Sequence, residues 1–227
     1  MEVCLCCLEN WHRQNFELRL WSGSFLDEPV MRPLPATPLI SLVIPCYNEA
    51  EVLPLLFERI QEEACSWLID YEVILVDDGS QDDTWHYMQE FHTRDSRWKA
   101  VRLSRNFGHQ LALWTGLQHA IGDAVVVLDA DLQDPPEIIP QFLDKWQAGF
   151  DVVYAVRQKR KEGLLKRTAY WCYYRCLRLL SEISIPLDSG DFCVMDRRVV
   201  QALLSCCEQE PFIRGLRAWV GFRQTGL

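Results

Sequence analysis

From residue 39 onward, short continuous apolar runs alternate with longer segments whose apolar positions recur at three- and four-residue spacing. Continuous runs suit strands buried on both faces, and the wider spacing suits helices that cover them. The alternation therefore predicts βα units building a mostly parallel central sheet flanked by helices. The predicted strands are LISLVIP (39–45), YEVILVD (71–77), KAVRLS (99–104), DAVVVLD (123–129) and DVVYAV (151–156), with a further short one at DFCVM (191–195). Helices are predicted over 49–64, 82–94, 108–120, 136–148 and 197–206. Asp82 or Asp83 can cap the second helix, and Pro135 and Pro136 suit the opening of the fourth, where a missing N–H leaves no helical bond unmade.

Two regions depart from this alternation. Residues 1–38 end in EPVMRPLPATP, where Pro29, Pro33, Pro35 and Pro38 prevent regular pairing, so they read as an extension and Pro-rich linker before a single domain at 39–227. Residues 163–184 read as a long helix in which aromatics and leucines mix with Lys166, Arg167, Arg175 and Arg178. Two readings stay open there: a helix packed on the core with a solvated basic face, and one that lies on a membrane surface or faces an acceptor.

Composition narrows the function. At 227 residues the chain can bury one full-sized core. With 32 acidic against 23 basic residues it carries a net charge of −9, which argues against a general nucleic-acid binder. A phosphate-bearing ligand remains compatible, because a metal ion can mediate between carboxylates and phosphates. No uncharged apolar run is long enough to span a bilayer, and the N-terminus does not read as a secretory signal, so a cytoplasmic setting is expected. The 10 cysteines lack paired CxxC spacing, and those within apolar patterns behave as small hydrophobes, as in a reducing compartment.

Ligands of parallel α/β sheets bind outside the carboxyl ends of the strands. The first strand ends in PCYNEAE, the second in VDDGSQDD and the fourth in LDADLQDPPE, so three strands deliver acids and turn residues to one edge. Asp and Gly are ordinary punctuation after any single strand, but three such sites on one edge point to chemistry. Asp129 and Asp131 are alternate residues leaving a strand and point the same way, so they can share a hard cation such as Mg²⁺ or Mn²⁺ that bridges to a diphosphate. Without a metal the same pair would repel. Gln133 offers a neutral oxygen nearby, while Asp134 and Glu137 read as cap and first-turn charges. Asp77 and Asp78 precede Gly79, which permits a sharp turn, and a carboxylate there can accept from a base N–H or from ribose hydroxyls.

The segments VIPCYNEAEVLPLL, VDDGSQDDT, LSRNFGHQLALWTGLQHAIGDAVVVLDADLQDPPE and SGDFCVMDRR, in unbroken order over about 39–224, resemble the inverting family 2 glycosyltransferases with the GT-A (Rossmann-like) fold. Within these the likeness is greatest to the polyprenyl-phosphate group, typified by dolichol-phosphate mannose synthase and bactoprenol glucosyltransferase. The resemblance implies transfer of a sugar from a UDP- or GDP-sugar to a polyprenyl (undecaprenyl or dolichyl) phosphate at the cytoplasmic face of a membrane, with Mg²⁺ or Mn²⁺. It implies that Pro45, Tyr47, Glu49, Asp78 and Asp129 hold the nucleotide, and that Asp129, Asp131 and Gln133 surround the metal and diphosphate. Asp131 and Asp191 would be the catalytic acids, Asp191 as candidate general base. Arg105 and Asn106 would lie near the donor, and Arg157 would receive the acceptor phosphate, although the following Lys159 and Arg160 equally describe a solvated loop.

Two departures stand out. Members of this group continue into an arginine-bearing segment and membrane helices, so the resemblance implies a catalytic domain cut before any transmembrane segment. Where the group carries Arg in its GDFR motif this chain has Cys193, a neutral thiol that cannot pair with phosphate. A non-catalytic nucleotide-binding or interaction module of the same fold is therefore the alternative. A haloacid-dehalogenase-like phosphatase would place D-x-D near its first strand, followed by Thr or Val, whereas here it follows the fourth and reads DADLQ.

Overall fold

The computed structural model describes residues 37–67, 69–156, 189–206 and 208–227. Its strands are β1 (Leu39–Cys46), β2 (Asp70–Asp77), β3 (Trp98–Arg102), β4 (Ala124–Val127), β5 (Val152–Val156), β6 (Ser189–Asp196) and β7 (Gln224–Gly226). The helices are α1 (Leu53–Ala64), α2 (Thr84–Arg94), α3 (His109–His119), α4 (Ile139–Gln147), α5 (Arg197–Leu204) and α6 (Ile213–Trp219). All seven strands form one sheet in the order β3-β2-β1-β4-β6-β5-β7. β3, β2, β1 and β4 run parallel, β6 is antiparallel to both β4 and β5, and β7 pairs parallel with β5.

Alternation along the strands splits the core into two apolar layers. On one face Leu42, Ile44 and Val126 pack with Leu56, Phe57, Phe91 and Phe142. On the other, Val43, Ile74 and Val125 pack with Leu113, Leu117, Val200 and Leu203. Gly116 lets α3 sit close on the second face, since a Cβ there would lie 2.2 Å from Val43 Cγ1. At the opening ends of the strands Glu72, almost wholly buried, accepts from Ser41 Oγ at 2.5 Å and from the Ile121 N–H at 2.9 Å, and pairs with Lys99 at 2.5 Å. This knot ties β1, β2 and β3 together away from the ligand edge.

The mostly parallel, helix-flanked sheet is the predicted one, with several local differences. The helix expected from 49 begins at Leu53, after a loop in which Asn48 adopts a positive φ of 56°. The helix expected over 136–148 divides into a 3₁₀ turn (Pro136–Ile138) and α4, with Pro140 in the first turn of α4, where a missing N–H is tolerated. Asp82, rather than Asp83, binds the start of α2, accepting the Thr84 N–H at 3.1 Å. Glu137 is spent on Arg59, at 2.6 Å. The extension at 1–36 and the helix expected over 163–184 lie outside the described residues. Among the described residues no helix is long and apolar enough to cross a membrane.

Candidate active site

The carboxyl ends of β1, β2 and β4 open onto a cleft of about 280 Å³. Its walls are built by loops that hold one another through backbone groups. Where β1 ends, the Asn48 N–H donates to Ser80 Oγ at 2.9 Å, the Asn48 side chain accepts the Gln81 N–H at 2.9 Å, and the Glu49 N–H donates to Thr84 Oγ1 at 2.8 Å. Asp78, 3% exposed, accepts the N–H groups of Phe107 and Gly108 at 2.7 and 2.9 Å, one on each carboxylate oxygen. Gly79 has a positive φ of 72°, and a Cβ there would lie 2.6 Å from the Arg105 carbonyl carbon. The DDGS turn is thus shaped to carry the SRNFG loop across it.

Pro45, Tyr47, Glu49, Asp78, Asn106, Asp129 and Asp131, all expected from the sequence at the donor site, line this cleft. The acids among them strain one another. Burial, then the charges of Asp131, Asp82 and Asp129, pushes the Glu49 carboxyl above its ordinary range. A cation would relieve that crowding. Among the described residues no three His, Cys, Asp or Glu side chains converge to hold an ion alone. Carboxylates that supply only part of a coordination shell fit a hard divalent cation whose remaining positions go to water and diphosphate oxygens.

Three expected residues stand off from the cleft wall, and one cannot be placed. Gln133 is not among the lining residues; its backbone N–H donates to Asp131 Oδ1 at 3.0 Å, which orients that carboxylate. Arg105 is exposed and folded onto its own loop, with its guanidinium 3.9 Å from the Phe107 ring centre and donating to the Asn106 carbonyl at 2.8 Å. Asp191 lies one side chain behind the wall. His109 lines the cleft and bridges the gap, its Nε2 3.7 Å from Asp129 Oδ1 and 3.8 Å from Asp191 Oδ2. Arg157, with Lys159 and Arg160, lies outside the described residues.

Sequence reading passed over His109, Gln110 and Arg214. The signal for His109 was at hand, since it directly follows the SRNFG loop and opens α3. Arg214 grips Asp191 through Nε–Oδ1 at 3.2 Å and Nη2–Oδ2 at 3.1 Å, a contact that no local pattern announces. Cys193 faces the interior, 1% exposed within the second apolar layer, and burial pushes its thiol up despite the Arg217 guanidinium beside it.

The glycosyl transferase family 2 model matches residues 41–204. An uncharacterised glycosyltransferase of Bacillus subtilis (strain 168) is 45% identical over 188 residues, which cover 82% of this chain and 58% of the relative. A prophage bactoprenol glucosyl transferase homologue of Escherichia coli (strain K12) is 39% identical over 184 residues, covering 80% of this chain and 60% of the relative. The chain therefore spans less than two thirds of the length of these relatives. Among solved structures, a mannosyltransferase of Pyrobaculum calidifontis in complex with GDP-Man and Mn²⁺ is similar with a TM-score of 0.59 at 21% identity, covering 89% of this chain and 58% of that one. Glucosyl-3-phosphoglycerate synthase of Mycobacterium tuberculosis, in complex with Mn²⁺, UDP and glucosyl-3-phosphoglycerate, is similar with a TM-score of 0.51 at 25% identity, covering 73% and 59%. These likenesses bear out the GT-A fold, and the chain belongs to glycosyl transferase family 2.

Proposed function

We propose that the protein transfers a sugar, with inversion, from a UDP- or GDP-sugar to a polyprenyl phosphate, using Mg²⁺ or Mn²⁺. The observation that carries this is the cleft at the carboxyl ends of β1, β2 and β4, where Glu49, Asp129 and Asp131 gather closely enough that the charges of the two aspartates help push the Glu49 carboxyl up. Bactoprenol glucosyl transferases among the relatives support the acceptor class, and structural neighbours solved with GDP-Man and Mn²⁺ or with UDP and Mn²⁺ support the donor and metal.

In this reading the nucleoside lies against Pro45, Tyr47 and the loop fixed by Asp78, while the diphosphate lies toward Asp129 and Asp131. A divalent cation held there would supply the positive charge that the departing diphosphate needs. An oxygen of the acceptor phosphate forms a bond to the anomeric carbon as the bond to the nucleoside diphosphate breaks, and the bonding pair leaves with the diphosphate. A lipid phosphate is ionised near neutral pH, so the nucleophile needs orienting more than deprotonating, a task suited to His109 in the cleft wall with Asp191 behind it. A lipid acceptor places the work at a membrane face, as expected from the sequence, and Arg157 is retained as the proposed receiver of the acceptor phosphate.

Purified protein incubated with UDP- and GDP-sugars, Mn²⁺ and undecaprenyl or dolichyl phosphate tests the reading. Product lipid of inverted anomeric configuration is expected with one nucleotide class. Nucleotide binding without transfer to any acceptor would favour the non-catalytic module, and no nucleotide binding at all would end both.

A further inference from the structure

We propose that Arg214 is a positioning residue for Asp191 and that Gln110 sets the helix carrying it; this rests on the transferase reading above. Asp191 lies within β6 with its side chain 17% exposed, and both its oxygens are taken by the Arg214 fork, at 3.2 and 3.1 Å. Two parallel N–H···O contacts fix the plane of a carboxylate as well as its place, which a lysine ammonium cannot do. In that orientation Oδ2 stands 3.8 Å from the cleft-lining His109 Nε2, which is 3.7 Å from Asp129.

Arg214 comes from α6, a helix of 7 residues with no capping side chain of its own at its N-cap, Phe212. The first N–H of α6, from Ile213, is instead donated to Gln110 Oε1 at 3.0 Å, across 103 positions of sequence. Gln110 is the neighbour of His109 at the start of α3. One dipeptide therefore reaches the donor carboxylate on one side and sets the support of Asp191 on the other. Packing reinforces the placement, since Ile213 is 3% exposed and Gly215 admits the Phe212 ring, where a Cβ would lie 2.5 Å from Phe212 Cδ1. An ordinary half-exposed ion pair contributes little to stability. Arg214, 35% exposed, is therefore better explained by what it does to Asp191.

The experiment compares wild type, Arg214→Gln, Arg214→Lys, Asp191→Asn, Arg214→Gln/Asp191→Asn and Gln110→Ala for lipid-phosphate transfer and for nucleotide binding with Mn²⁺. Misplacing a reacting or supporting group by about 1 Å can cost roughly 100-fold. Arg214→Gln is expected to lower kcat roughly 10- to 100-fold with nucleotide affinity unchanged. Arg214→Lys should recover little of this, the double variant should match Asp191→Asn within about twofold, and Gln110→Ala should give a smaller loss in kcat alone. Unchanged kcat in Arg214→Gln, equal loss of nucleotide affinity, or multiplying effects in the double variant would overturn the proposal. If wild type binds nucleotide but transfers to no acceptor, the function reading fails by itself. The tie is then read from the carbon-13 shift of the Asp191 carboxyl, which Arg214→Gln must move if the proposal holds and leaves in place if it does not.

Discussion

On the β3-β2-β1-β4 side of the sheet, Asp77 and Asp78 leave the end of a parallel strand and are held by N–H groups of the loops around them: Ser80 to Asp77 at 2.8 Å, Phe107 and Gly108 to Asp78. On the β6-β5-β7 side, Asp191 sits within an antiparallel strand and is held by one long side chain from α6. The first arrangement is rigid because main-chain donors cannot rotate away once the loop is formed. The second depends on a side chain delivered by a short helix, which α3 in turn ties down through Gln110. A cleft with rigid walls and an adjustable acid behind it is the result.

The interior of the second side can be broken most severely. Cys193→Arg would place a second guanidinium in a buried position beside the buried Arg217, and adding a like charge to an enclosed site belongs to the costliest class of substitution, about 4 kcal/mol or more. Urea denaturation should show loss of the folded baseline. A variant that folds as well as wild type would mean the position opens to the surface.

Next comes the rigid wall. Asp78→Asn removes a charged acceptor of two N–H bonds and turns an amide toward donors, which should cost about 1.5–3 kcal/mol and weaken nucleotide binding by loosening the SRNFG loop. Urea midpoints and nucleotide titration check both. Full stability with weakened binding would assign Asp78 to the ligand alone.

The smallest effect lies at the far end of the strands. Burial pushes the Glu72 carboxyl up, but hydrogen bonds from Lys99, Ser41 and the Ile121 N–H outweigh it and hold the group below its ordinary range. A depressed carboxyl stabilises the fold above its unfolded value, and that contribution is lost as pH falls through the lower folded value. Glu72→Gln should therefore cost about 1–2 kcal/mol at pH 7 and progressively less as pH falls below the ordinary carboxylate range, as urea midpoints across an acid series would show. An equal cost throughout would remove the charge from the account.

The same contrast governs what the sequence disclosed. β1, β2 and β4 are continuous apolar runs ending in acids, so their positions and their shared edge could be read directly, as could the gathering of Tyr47, Glu49, Asp129 and Asp131. The bonds that use Asp78 could not, because they join it to main-chain groups 29 and 30 positions away, which have no side-chain signature. β7, QTG, has no apolar pattern because it is a short strand at the sheet edge. Around α6 the sequence reads FIRGLRAWVGF, an apolar-aromatic stretch whose helical signal Gly215 weakens, and Arg214 shows its purpose only once β6 lies beside it. Gln133 and Arg105 carry suitable chemistry, but the local chain directs one to support Asp131 through its N–H and turns the other onto Phe107.

The central claim is that Asp129 and Asp131 bind a nucleoside diphosphate through a divalent cation. Calorimetric titration of UDP and of GDP into the wild type and Asp131→Ala, each with Mn²⁺ and with EDTA, tests it most directly. The account predicts binding of one nucleotide to wild type with Mn²⁺, weakened about 100-fold or more both by EDTA and by Asp131→Ala. Equal affinity in all four conditions would contradict it.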